Sequence, residues 1–326
     1  MRKTVLVMIV LAVLMCGSAM GQDKQPWEQA GTEVGQEIIG PDGGTMVWMS
    51  AGEFLMGSTA EQIAGLEKQW PPNVQDFAKF VLASETPQHR VHVDGFWLSK
   101  HEVTNAQYLR FVEATGHRCP EVADFGEPVW HGRSFPAEKS SHPVVCVSWE
   151  DARAYCEHYG LSLPTEAQWE YAARGDDGRL YPWGNEWPPP AGAGNFADMT
   201  AKGKFPEWDV IAGYDDGYAE TSPAGSFAAN PYGVYDLSGN VWEWCADWYD
   251  PNYYKTSPER NPRGPAGAVS FELPLLGQTP TIAGSRVLRG GSWLSDLPRY
   301  FRCAYRYFTT PDRRGNSYGF RCARGL

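Results

Sequence analysis

Cysteine, histidine and serine are the side chains in this 326-residue sequence from which a metal, redox or nucleophilic centre would be built, and their spacing narrows the choice. No Cys-x-x-Cys pair and no Cys/His cluster with zinc spacing occurs. The seven histidines are His89, His92, His101, His117, His131, His142 and His158. His89 and His92 lie three apart in an alternating, strand-like segment, so they point to opposite faces rather than at one ion. Ser292, in Gly290-Gly291-Ser292-Trp293, lacks the flanking glycines of a nucleophile elbow and has no histidine near it in sequence. Gly290-Gly291 opens no helix, which removes support for a phosphate-binding loop. Arg313-Arg314 reads as a solvated loop.

Residues 1–21 read as a secretion signal, with Arg2 and Lys3 ahead of an apolar core from Val5 to Met15 and a small-x-small site at Ala19-Met20-Gly21. That core is shorter than the roughly twenty apolar residues of a membrane span, and no second candidate follows. The competing reading is a lipid anchor on Cys16. Cleavage removes two basic residues and no acidic one from a chain whose net charge is already −11. Such a chain does not seek nucleic acid, whose phosphates are bound by Lys and Arg releasing counterions. The expected location is the periplasm or the exterior. Six cysteines remain there, and an even number in an exported chain argues for disulfides, with fifteen pairings open.

The elements that must position these groups are short. Residues 22–44 are polar and Gly-rich and read as a linker; 45–326 read as one domain, near the upper size for a single core. The 35 Gly and 25 Pro are scattered among 14 Trp and 16 Tyr, which excludes low-complexity disorder and implies a loop-rich α+β domain filled by buried rings. Capping boxes at Thr104-x-x-Gln107, Ser148-x-x-Asp151 and Thr165-x-x-Gln168 each start a helix, the third ending near Arg174-Gly175. A further helix between Glu61 and Leu82 breaks at Pro71-Pro72. Strands are expected at Thr45–Met49, Glu53–Met56, Arg90–Leu98, Arg286–Gly290 and Tyr318–Ala323.

The run RVLRGGSWLSDLPRYFRCAYR (Arg286 to Arg306), read with GNVWEWCADW (Gly239 to Trp248) and YGFRCAR (Tyr318 to Arg324), resembles the formylglycine-generating enzyme, or sulfatase-modifying factor, family. GGTMVWMSAGEFLMGS (from Gly43), ETPQHRVHVDGFWLSKHEVTNAQYLRFVEATG (from Glu85), HPVVCVSWEDARAYC (from His142), LPTEAQWEYAARG (from Leu163) and YPWGN (from Tyr181) are similar to further blocks in family order. The resemblance implies a large, irregular relative of the C-type lectin fold. In copper-using members two cysteines after the GGS turn bind Cu(I), a soft ion that selects sulfur. This chain has Ser295 at the first position and no cysteine between Gly291 and Cys303.

By the same resemblance a peptide cleft beside that turn is lined by Trp242, Ser292, Ser295, Arg306 and Ser317, the last beside Asn316. The plain alternatives are a core aromatic for Trp242, a turn hydroxyl for Ser292 and, for Arg306, a partner of a buried carboxylate such as Glu243. The resemblance also implies two calcium sites, Asn195, Phe196, Asp216 and Tyr218 for one and Asp236, Gly239, Val241 and Glu243 for the other, mixing side-chain oxygens with carbonyls. The same residues read locally as turns. Of the disulfides, Cys156–Cys322 matches a family bridge; the usual partner of Cys303 falls at Ala173, which points to Cys245–Cys303 and leaves Cys119–Cys146. The superfamily's non-haem iron branch takes histidines from an additional helical domain, for which 22–44 leave no room.

The expected function is an exported, calcium-stabilised domain without copper-thiolate or iron chemistry, acting as a binding or accessory module for a peptide or sulfatase-like protein, or as a divergent enzyme. One alternative is an oxidoreductase that converts a sulfatase cysteine to formylglycine with thiols such as Cys245 and Cys303. A second is a lectin-like carbohydrate-binding module.

Overall fold

Two four-stranded sheets carry the molecule, and the computed structural model describes residues 24–326 apart from 69, 71 and 276. The expected signal peptide and Cys16 lie outside the described residues. The first sheet has the order β1 (Glu37–Ile39), β2 (Thr45–Met49), β5 (Phe96–Ser99), β12 (Ala323–Gly325), all antiparallel. The second has the order β10 (Tyr307–Thr309), β9 (Arg286–Arg289), β6 (Trp242–Trp248), β11 (Tyr318–Gly319), with β11 parallel to β6. Two hairpins stand apart, β3 (Gly52–Met56) with β4 (His89–Val93) and β7 (Ser270–Glu272) with β8 (Thr281–Ala283).

The helices form where the capping chemistry puts them. Thr104, Ser148 and Thr165 each accept a backbone N–H three residues on, and the side chains of Gln107, Asp151 and Gln168 reach back, opening α3 (Asn105–Thr115), α4 (Trp149–His158) and α5 (Glu166–Arg174). Gly116 and Gly175 take positive φ and end α3 and α5, as a residue without Cβ does most readily. The segment before Pro72 is α1 (Ala60–Glu67), capped by Thr59 and Gln62, and the chain resumes as α2 (Gln75–Ala83). A short α6 (Met199–Lys204) starts on Asp198.

Several expectations are corrected. Residues 22–44 are not a simple linker: β1 extends the first sheet and the Gln29 carbonyl accepts the Trp97 indole N–H at 2.8 Å. The stretch Arg90–Leu98 is two strands, β4 and β5, in different sheets. Tyr318–Ala323 likewise divides, β11 completing one sheet and β12 the other, with the Phe320 carbonyl taking the Val103 N–H between them. Residues β6 and β10 supply were not expected as strands.

The alternation along β6 sorts the core. Trp242 and Trp244 join Leu288 and Tyr305 in one buried cluster, while Cys245 joins Val287 and Cys303 in another. No helix among the described residues is long and apolar enough to cross a membrane.

Candidate functional site

Arg289, on β9, projects from the second sheet between two α5 carboxylates, at 3.1 Å from Glu166 and 2.6 Å from Glu170. Arg306 closes a two-pronged pair on Glu166, Nε to Oε1 at 2.8 Å and Nη2 to Oε2 at 2.9 Å, and its remaining nitrogen donates to the Ser84 carbonyl. Burial pushes the Glu166 carboxyl up, but Arg306 and Arg289 outweigh it and hold it below the ordinary range. The expected partner Glu243 is instead taken by Arg321, at 2.6 and 2.7 Å, with the Trp169 indole N–H at 2.9 Å. Tyr305 and Tyr307 pack on Trp242, so the residue between them faces the other way, and Arg306 holds the scaffold rather than the cleft.

Trp242, Ser292, Ser295 and Ser317 do come to one side. The Trp242 backbone N–H donates to the Ser317 carbonyl at 2.8 Å, and the Trp293 indole donates to Asn316 O at 3.2 Å, which docks the GGS turn onto the turn before β11. Gly290 and Gly291, both at positive φ, let that turn approach Trp169 and Phe301 where a Cβ would crowd them. Ser295 closes it: its N–H donates to Ser292 O at 2.9 Å and its Oγ accepts the Ser292 N–H at 3.2 Å. A hydroxyl committed to a turn is a poor Cu(I) ligand, and the residues present do not fit that ion. Trp242 is a core aromatic, its ring 4.9 to 6.1 Å from those of Tyr307, Tyr305 and Tyr300. Beside Trp293 and Asn316 a cavity of about 110 Å³ opens, lined also by Lys139, Glu220 and Thr221.

The expected calcium ligands meet next to this turn. The Gly239 N–H donates to Gly290 O, and Asn240, itself at positive φ, donates to Asn195 O at 2.9 Å. Asp216 receives the Phe196 and Tyr218 N–H groups, both at 2.8 Å, which gathers all four members of the first set. Its carboxyl is pushed up to about 7 by burial. The Asn195 amide donates to Glu220 O, while its Oδ1 is buried without a partner. An orphaned oxygen beside a desolvated carboxylate is a donor set that a hard cation satisfies.

In the second set Asp236 Oδ2 takes the Gly225 N–H at 2.6 Å, Oδ1 is buried and unpartnered, and burial raises the carboxyl to about 6. Glu243 is already occupied by Arg321. Sequence reasoning missed Glu102, wholly buried beside this set, where it accepts the Asn240 amide at 2.7 Å and the Val241 N–H at 3.3 Å. Burial, with Asp236 and Glu243 close by, pushes it well up. Glu102 lies inside a segment used to read a helix start, and its only sequence signal was an acid just ahead of that cap.

All six described cysteines are unbonded. Cys156 and Cys322 lie with sulfurs 3.4 Å apart, tying α4 to the approach to β12. Cys245 and Cys303 share one buried cluster, and burial raises both thiols, Cys303 to about 12. Cys146 packs with Val145 and Val241 at positive φ, whereas Cys119 is half-buried against the other core.

A family model described as "Sulfatase-modifying factor enzyme 1-like domain" matches residues 35–326. The chain is 38% identical over 276 residues to the formylglycine-generating enzyme of Streptomyces coelicolor, covering 73% of this chain and 81% of that one. It is 39% identical over 269 residues to a Bos taurus protein named inactive C-alpha-formylglycine-generating enzyme 2, covering 78% and 75% of the two. Among solved structures it is similar to PvdO from Pseudomonas aeruginosa, with a TM-score of 0.64 and 25% identity over 91% of this chain and 100% of that one.

Proposed function

This chain belongs to the sulfatase-modifying factor, or formylglycine-generating enzyme, family, and from that premise we propose that it is an exported, calcium-stabilised member that binds a peptide or protein ligand without copper-thiolate oxidation. The observation that carries this reading is Ser295, whose hydroxyl and backbone are spent on closing the turn with Ser292. A hard oxygen there supplies neither the charge nor the polarisability that holds Cu(I). The buried thiols Cys245 and Cys303 do not replace it, since the thiolate is the metal ligand and burial raises both thiols and so favours their protonated form. Similarity to a relative named inactive accords with the same reading.

Calcium enters as a structural ion. Asn195, Phe196, Asp216 and Tyr218 would hold it, neutralising Asp216 and satisfying the orphaned Asn195 oxygen. Asp236, Gly239, Val241 and Glu243 form the weaker set, because Arg321 already neutralises Glu243. A cation at either set would brace the Gly239–Asn240 turn on which the GGS turn rests.

Titration of the natively oxidised protein with Cu(I), paired with oxygen consumption on a cysteine-containing sulfatase peptide, tests the reading. The expectation is no stoichiometric copper uptake and no turnover, with peptide retention that Trp242→Ala weakens. One equivalent of copper bound with oxygen consumed would instead establish the oxidoreductase reading, to which the 38% identity with a formylglycine-generating enzyme lends its weight.

A further inference from the structure

Between two of the family-like blocks, residues 59–84, of which 69 and 71 are not among the described residues, form an excursion whose two ends meet at one point. At that base the Ser58 N–H donates to Glu85 O at 2.9 Å and the Ser58 hydroxyl donates to Glu85 Oε2 at 2.7 Å. Arg302 clamps the same carboxylate from below at 2.5 and 2.7 Å. The excursion has a core of its own, in which Trp70, Ala78 and Leu82 are buried with Ile63, Leu66 and Phe77 around them. An open cleft of about 750 Å³ separates α1 from the return segment, lined by Ile63, Ala64, Glu67, Lys79, Ala83 and Pro87. A closed base and a private core are the marks of a unit that opens separately from the rest of a domain.

Its outer end lands on the residues that follow the GGS turn. The Arg299 guanidinium lies 3.7 Å from the centre of the Trp70 ring and 4.6 Å from that of Tyr300, and donates to the Tyr300 hydroxyl at 3.0 Å. Tyr300 stands edge-on to Trp242 and to Tyr305. From α2, Val81 enters the buried cluster that holds Trp242 and Tyr305, while Phe80 meets Phe308 and Phe271 on the opposite side of the sheet. Through Trp70 and Val81 the excursion therefore lies against the edge of the aromatic face.

We propose that residues 59–84 are a cover over the face made by Trp242, Tyr300, Tyr305 and Tyr307, latched by Trp70 on Arg299, so that access to this face is controlled in cis. The inference rests on the cleft reading above only for the identity of the visitor, a peptide; the cover itself is defined without one. Release of Trp70 uncovers a cationic and a phenolic side chain at the mouth, suited to a peptide carrying an aromatic or carboxylate group.

Hydroxyl-radical footprinting read by peptide mass spectrometry tests this on the full chain with no ligand present. Trp70→Ala is expected to raise labelling of Tyr300 and Tyr307 about fivefold, the scale of losing one partly exposed cation–π contact. Replacing residues 60–83 by a short Gly/Ser linker, which the hydrogen-bonded base permits, is expected to raise it further. Trp169 and Trp244, deep in the two cores, should stay protected in both variants. Unchanged labelling of Tyr300 and Tyr307 after the replacement would overturn the cover; a rise of equal size at Trp169 and Trp244 would overturn it too, by making the excursion part of the common core. Failure of the peptide experiment alone leaves these readouts unmoved and counts against the binding reading instead.

Discussion

The two faces of the β10-β9-β6-β11 sheet are built on opposite physical terms. One is ionic: Glu243, Arg289, Arg306 and Arg321 are buried, and each is answered by a charge of opposite sign. The other is aromatic: Trp242, Trp244, Tyr305 and Tyr307 meet through ring contacts and shape. The ionic face fails when one partner is removed, whereas the aromatic face tolerates changes that keep volume. On the first face the Glu166–Arg306 pair holds α5 against the sheet.

The largest effect that would break this contrast is on the ionic side. Glu166→Ala strands Arg306, leaves Arg289 with Glu170 alone and is expected to cost about 3 to 5 kcal/mol in denaturant unfolding; a loss under ~1 kcal/mol would show that the network is not what holds the sheet. On the aromatic side Trp242→Ala should cost about 3 kcal/mol through the cavity left behind, and Trp242→Phe markedly less. Equal losses from both Trp242 variants would mean the face is specified by the indole rather than by volume.

Calcium sharpens the comparison at the rim between the two faces. Saturating calcium should stabilise the chain by about 2 to 3 kcal/mol, as a ligand at one hundred times its Kd does, and Asn195→Ala should abolish most of that shift in thermal unfolding. A calcium response surviving Asn195→Ala would move the ion to the Asp236 set.

A smaller effect is pH-dependent. Asp247 sits on the ionic face with its carboxyl raised to about 7 by burial and by nearby Glu166, against the pull of Arg306 and Arg286. Folded chains keep this proton where unfolded ones, titrating near 3.8, have lost it. The stability it contributes is complete below about pH 4 and is lost as pH rises through 7. Asp247→Asn keeps an oxygen for the Glu166 N–H, which now meets Asp247 at 2.8 Å. The variant should match the parent at pH 4 and be clearly the more stable of the two at pH 8. A constant difference across that range would refute the assignment. Smallest of all, Ser295→Ala removes one turn hydrogen bond and should cost about 1 kcal/mol or less.

Much of this was legible in the residues. The three capping boxes gave helix starts to the residue because a cap is a local hydrogen-bond device, and β2 was placed to its ends by its apolar run. What escaped is what depends on both faces being buried. Trp242-Glu243-Trp244-Cys245 alternates perfectly, yet its acid is internal, so the pattern does not read as an apolar stripe beside a wet one. The partner of Arg306 was misjudged for the same reason: the choice between Glu166 and Glu243 is set by which way α5 packs on the sheet. In the site, Ser292, Ser295, Ser317 and Trp242 were named by the family resemblance alone, whereas Glu102 needed three dimensions.

Residue 99 and residue 322 are joined by a hydrogen bond between the Cys322 N–H and the Ser99 hydroxyl across 223 positions, and the strand that follows Cys322 completes the sheet whose other members lie before residue 100. The outer edge of β5 must therefore wait, unpaired, until nearly all the intervening chain has been made. Long waits of this kind slow folding and expose strand edges, so overproduced protein should be rescued more by cooler, slower synthesis than by any change near the cleft.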